Sequence, residues 1–158
     1  MRIRIGLVAA GVFALAHAAA AQPSAKPPPA EQHDEASLKA WAADNLDPDG
    51  WVYYGFTTPQ KLVVLWYVAE KSIPGSKFPI VSEWIRSESA LSPGSRLARI
   101  EVDCERRRLR NMEEVLYAGN NLRGPITAAN DTSGSAWSPI TNGSVGDTLV
   151  QRVCRDAR

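Results

Sequence analysis

Histidine is the usual proton carrier near neutral pH, and this 158-residue sequence holds two, His17 and His33. Both precede the folded part argued below. The remaining chain then lacks the Ser–His or Cys–His pair of a nucleophilic hydrolase and the commonest zinc ligand. Adjacent carboxylates occur at Glu113 and Glu114. In a strand, neighbouring side chains point to opposite faces, so these two read as solvated charges rather than a shared acid–base pair. Asn45-x-Asp47-x-Asp49-Gly50 has the cadence of a calcium loop. Such a loop needs Asp first and a bidentate Glu twelfth; here those positions hold Asn45 and Phe56, and a plain turn is the better reading. The sequence therefore offers no catalytic residue, no metal ligand set and no cofactor site. A hydrolase working through an Asp/Glu pair alone is the one enzymatic alternative.

The densest charge run is Arg106-Arg107-Arg108 with Arg110. It could contact a nucleic acid or an anionic glycan. In a strand, however, the arginines divide between faces, and Glu101, Asp103 and Glu105 lie near enough to neutralise them. A salt-bridged sheet face is the preferred reading. Five tryptophans (Trp41, Trp51, Trp66, Trp84 and Trp137) are a heavy load for this length. Most should serve the core, and a cluster of exposed ones would mark a binding surface.

The elements that must position these residues begin after the N-terminus. Arg2 and Arg4 precede an apolar stretch over residues 5–16, and Ala19-Ala20-Ala21 leads into Gln22. This is the layout of a removable signal peptide over residues 1–21, too short to span a bilayer. It predicts an exported protein, periplasmic or secreted, with no membrane insertion after cleavage. No cysteine sits at the cleavage region, so lipid attachment is not expected there. The full chain has 18 Lys+Arg and 17 Asp+Glu; removing Arg2 and Arg4 leaves 16 against 17, a net charge near −1. That balance gives no general attraction to nucleic acid. Residues 22–33, with Pro27-Pro28-Pro29, read as an extended tether. Residues 34–158 are expected to form a single domain.

Export makes an oxidised pair of Cys104 and Cys154 the natural reading of the two cysteines. Free thiols in a redox or metal site are the alternative, but no C-x-x-C spacing supports it. Residues 96–104 alternate, with Ala98, Ile100, Val102 and Cys104 on one side, which predicts a half-buried strand. Residues 144–154 predict a helix: Ser144 can cap it, Asp147 sits in its first turn, and Val145, Leu149, Val150 and Val153 form a stripe. A bridge between the cysteines would pin that helix to a central strand.

Upstream, residues 61–69 are apolar in both parities, as expected of a strand covered on both faces. Residues 51–56 predict an earlier strand after the Asp47-Pro48-Asp49-Gly50 turn. Residues 106–117 should pair with the Cys104 strand as a hairpin, with a bulge near 111–114. Residues 119–135 read as loop, and 137–140 as a last short strand. Residues 78–85 carry Ile80, Val81, Trp84 and Ile85 at helical spacing, and 34–45 carry Leu38 and Trp41 three apart. Either segment could be helix or strand.

Ile100-Glu101-Val102-Asp103-Cys104, then Arg106-Arg107-Arg108-Leu109-Arg110, Tyr117, Trp137-Ser138-Pro139-Ile140, Gly143-Ser144 and Val153-Cys154 occur together in this order. In that the chain resembles the surface-adhesin protein E family of small exported bacterial domains, over roughly residues 61–154. The resemblance implies an α+β fold, an antiparallel β-sheet with a C-terminal helix packed on it and a Cys104–Cys154 disulfide. It also implies a non-enzymatic, adhesin-like binding module whose partner is an extracellular-matrix or envelope protein, with no nucleic acid. A periplasmic accessory or structural envelope protein with no host ligand is the alternative.

Overall fold

A computed structural model describes residues 34–58, 63–71, 73–76 and 78–157. The signal peptide expected over residues 1–21 and the tether over 22–33 lie outside the described residues. The first element, α1 (Glu35–Asn45), starts where Asp34 caps it by accepting a hydrogen bond from the Ser37 amide at 2.9 Å. Its sequence is rich in helix formers, and Leu38, Trp41 and Ala42 fall on one buried face. The open choice at residues 34–45 thus resolves to helix.

Six strands follow as an antiparallel meander in sequence order: β1 (Trp51–Thr57), β2 (Val64–Ala69), β3 (Ile80–Ser89), β4 (Ser95–Asp103), β5 (Arg108–Tyr117) and β6 (Ile126–Asp131). A two-residue strand, β7 (Ser138–Pro139), pairs with the start of β5. The chain ends in α2 (Val145–Asp156), capped by Ser144, whose side chain accepts from the Asp147 amide.

The two helices cover opposite faces of this sheet. On one face α2 lays Leu149, Val150, Val153 and Cys154 against Val68, Val81, Ile85, Ala98, Ile100 and Val102. On the other, α1 sets Leu38, Trp41 and Ala42 on Leu65 and Tyr67, with Val63 and Ala90 beside them. Strand β2 feeds both cores, which is why its sequence is apolar in both parities. Burying each such Val or Leu stabilises the fold by about 1.5–3 kcal/mol.

Two details seat α2. The β1–β2 register slips between Tyr53 and Gly55, so Tyr54 is an extra residue and joins the α2 core. Gly55 then lies directly beneath the helix start: a Cβ there would sit 2.5 Å from Val145 Cγ2. Only glycine allows that approach. At the other end, Cys104 in the turn after β4 is bonded to Cys154 in α2, with their Cα atoms 5.6 Å apart. The bridge closes a separation of 50 residues. Loop-closure entropy for that length corresponds to about 4 kcal/mol.

One open choice is settled and one sequence expectation changes. Residues 78–85 resolve mainly to strand β3, which pairs with β4 along its length and with β2 from Ile85 onward. Its inward positions are Val81, Glu83 and Ile85, and the buried Glu83 hides the alternation. Residues 119–135 are not all loop, since they contain β6. That strand is exposed along most of its length and held by backbone pairing to β5, so it carries no apolar period. The 106–117 hairpin forms with β4, and its bulge falls at Met112, between the Arg99 and Ile100 pairings.

Candidate functional site

The face of β3, β4 and β5 opposite α2 is covered by neither helix; the core under α1 reaches no residue of β4, β5 or β6. Register places three rows of side chains across it. Trp84 stands beside Arg99 and Arg99 beside Glu113; Ser82 beside Glu101 and Glu101 beside Arg110; Ile80 beside Asp103 and Asp103 beside Arg108. Each row closes its own ion pair. Arg99 Nε donates to Glu113 at 2.6 Å, Arg110 Nη2 to Glu101 at 2.6 Å, and Arg108 Nε to Asp103 at 2.9 Å.

Trp137 completes the face. The segment leading into β7 brings its ring alongside β5, and the Arg108 and Arg110 guanidinium carbons lie 4.7 and 4.6 Å from its centroid. Both distances are within cation–π range, worth about 0.5–1 kcal/mol each at a partly exposed site. The result is a flat, half-exposed surface in which the arginines are held rigid and already neutralised. Paired arginines of this kind project little net field, so the surface suits a partner of mixed polarity better than a polyanion.

The turn joining β4 to β5 fixes the arrangement. Asp103 is fully buried and accepts from the Arg106 amide at 3.0 Å as well as from Arg108. Burial opposes its ionisation, but the Arg106 amide and the Arg108 guanidinium outweigh that and hold its carboxyl below the usual range. Arg107 turns the other way, toward α2, donating to Asp147 at 2.6 Å. Asp147 also accepts from the Gly143 amide and from Gln151. These donors, the Gly143 amide first, bring its carboxyl down to about 2.

A second polar network lies beneath the surface on the α1 side. Glu88, with no exposed area, is ion-paired to Arg86, and it accepts from the Asn120 side-chain amide at 2.9 Å and the Asn121 backbone amide at 3.0 Å. Arg86 donates onward to the Asp47 carbonyl and to Asn121 Oδ1, both at 2.7 Å, and packs against the Trp51 and Tyr67 rings. Burial pushes the Glu88 carboxyl up, against the pull of Arg86, Asn120 and Asn121. This network clamps the β5–β6 loop to the end of α1, and so fixes the far end of the charged face.

The residues singled out in the sequence separate accordingly. Arg108 and Arg110 join Glu101 and Asp103 on one face, whereas Arg106 and Arg107 lie in the turn rather than in a strand. Glu113 and Glu114 do point to opposite sides: Glu114 pairs with Arg96 at 2.7 Å, away from Glu113. Asn45, Asp47 and Asp49 form a helix end and turn, and no acidic cluster that could hold a metal ion occurs among the described residues. Of the tryptophans, Trp41 is buried, Trp51 and Trp66 border the two cores, and Trp84 and Trp137 stand on the open face. The Arg86–Glu88–Asn120–Asn121 network was not legible beforehand, because its two halves lie more than thirty residues apart and none of its members is unusual locally.

An antiparallel meander with a terminal helix disulfide-bonded to the turn after β4, and a charged face on β3, β4 and β5, defines a small disulfide-tied α+β module. Its family follows from comparison. The model of the surface-adhesin protein E family matches residues 66–155, more than half of the chain, and the protein belongs to that family. The match spans the strands that build the face, the turn arginines, Trp137 and both cysteines. Membership implies an adhesin-like, exported or surface protein with a non-enzymatic role. Comparison with curated proteins and with solved structures yields no match. No described helix is long and apolar enough to cross a membrane.

Proposed function

We propose that the protein is a non-enzymatic exported binding module that contacts a protein partner through the open β3–β4–β5 face, with Trp137, Arg108 and Arg110 at its centre. In this reading residues 1–21 are the removed export signal, residues 22–33 the tether and residues 34–158 the binding domain. The observation that carries it is the half-exposed Trp137 ring held by two ion-paired arginines. Two of the three pairs, Arg99–Glu113 and Arg110–Glu101, are partly exposed, and such pairs contribute only about 0–1 kcal/mol each, so stability alone explains them poorly. Aromatic and arginine side chains on a rigid scaffold are the residues that dominate protein interfaces. The adhesin-like character of the family favours an extracellular-matrix or envelope protein as that partner.

The test compares wild type with Trp137→Ala and Arg110→Glu, each checked for folding by circular dichroism. Binding to immobilised matrix proteins and capture from envelope extract are measured in parallel. Saturable matrix binding lost in both variants supports adhesion. Capture of an envelope partner alone, lost in the same variants, supports the periplasmic accessory role through the same face. Binding that survives both substitutions sinks the assignment of the face.

A further inference from the structure

Charge is not spread evenly over the open face, and its balance changes from one end to the other. At the β6 end, register sets Asp131 beside Glu113, so one cation, Arg99, serves two carboxylates. In the middle row Arg110 and Glu101 match one to one, with Nε and Nη2 of Arg110 donating to the same carboxylate oxygen. At the β4–β5 turn the ratio reverses. Arg106 and Arg108 both lie against the single Asp103 carboxylate, at 3.4 and 2.9 Å. Glu105, the other acid of that turn, is exposed and forms no ion pair among the described residues. It balances the count without meeting either arginine, so one positive charge stays locally unshared beside Asp103.

The unused donors belong to Arg108. Its guanidinium reaches Asp103 through Nε alone, and neither Nη group has an acceptor among the described residues. The side chain is 32% exposed, and its guanidinium carbon lies 4.7 Å from the Trp137 ring centroid. Asp103 and Trp137 together hold the planar group in one orientation. An arginine ordered in this way has already lost much of its rotamer freedom, so less is lost when it takes a second acceptor. Trp137 itself is half-exposed and offers apolar surface at the same place.

We infer that Arg108 is the seat for a carboxylate of the bound partner, with Arg106 adding positive charge and Trp137 taking the apolar side chain next to it. The seat presupposes that the open face binds a protein, and it specifies what that face recognises: an Asp or Glu side chain beside an aromatic or large aliphatic one. A carboxylate fits in both charge and shape. It brings one negative charge to one unshared positive charge, and its two coplanar oxygens match the fork of the two Nη groups. A doubly charged phosphate group would carry its second charge toward Asp103 and Glu101. The β6 end, where acids outnumber arginines, offers no such seat.

The test is an NMR titration of ¹⁵N-labelled protein with a capped Gly-Phe-Glu-Phe-Gly peptide, whose only carboxylate is the glutamate side chain. The same peptide with Gln in place of Glu, and inorganic phosphate, are the controls. Saturable shifts of the Trp137 indole N–H and the Arg108 Nε–H are expected with the Glu peptide. The Gln peptide should bind about fivefold more weakly, the effect of one partly exposed charged contact. Arg108→Lys keeps a charge beside Asp103 but lacks the fork, and should remove most of the preference for Glu over Gln. Trp137→Ala should weaken both peptides alike. Equal binding of the two peptides, equal or stronger binding of phosphate, absence of saturable binding, or a full preference in a folded Arg108→Lys variant would overturn the inference. Its failure is separable from failure of the face: a matrix or envelope protein lost by Trp137→Ala yet bound at full strength by Arg108→Lys keeps the face and refutes the seat.

Discussion

Glu88 is the residue on which the architecture depends most sharply, and its removal gives a quantitative test. Its side chain is fully buried, and its ion-pair partner Arg86 is 4% exposed. Glu88→Ala would leave the Arg86 guanidinium in a low-dielectric site with its carboxylate gone, and would strip acceptors from the Asn120 side chain and the Asn121 amide. Breaking a buried pair in this way costs about 3–5 kcal/mol. For a domain whose whole stability is about 5–15 kcal/mol, that is a large share. With a urea m-value of about 2 kcal/mol/M, the denaturation midpoint should fall by about 1.5–2.5 M. Replacing both partners, Arg86→Met with Glu88→Leu, removes the orphaned charge and should recover much of the loss, although the Asn121 amide stays unsatisfied and the Asp47 carbonyl loses its Arg86 donor. Chemical denaturation of wild type and the variants measures all of this. A Glu88→Ala variant within about 1 kcal/mol of wild type, or a double variant no better than the single, would refute the claim that Glu88 holds a costly buried charge in place.

Other consequences follow from the seat of α2. Gly55→Ala should destabilise by about 1–3 kcal/mol, since its Cβ would meet Val145 Cγ2 at 2.5 Å and the β-branched Val145 has little rotamer freedom to yield. Adding Val145→Ala should return part of that loss in thermal melts, and no rescue would place the strain elsewhere. Asp147 gives a pH signature. Its carboxyl is lowered from 3.8 to about 2 by the Gly143 amide, Arg107 and Gln151. A depressed carboxylate stabilises the folded state above its unfolded value, and that stability is lost as pH falls through the folded value. Melts of wild type and Asp147→Asn should therefore differ at pH 6 and converge between about pH 4 and pH 2; a constant difference across that range would contradict the assignment.

What could be read from the sequence, and what could not, follows from how far each signal reaches along the chain. The α2 stripe, its Ser144 cap and the alternation of β4 are local, so a dozen residues suffice to show them. The double parity of β2 is also local, and it correctly announces a strand with a helix on each side. Strand β3 defeats the same reading because Glu83 takes a core position between Val81 and Ile85, so no clean period survives. Strand β6 fails for the opposite reason: an exposed edge strand is held by backbone bonds to β5, and backbone bonds leave no mark on side-chain type. The arginine run was visible, but its meaning was not. Arg108 and Arg110 become a surface only because Glu101 and Asp103 stand opposite them and because β7 returns Trp137 to the same face. The proposed binding face therefore depends on cross-strand register, and a register set by a bulge at Met112 places residues by pairing rather than by spacing. Abolishing that bulge, so that Met112 pairs with Ile100, would set Arg110 opposite Val102 and turn Arg108 and Arg110 toward the α2 core while leaving every motif in the sequence intact.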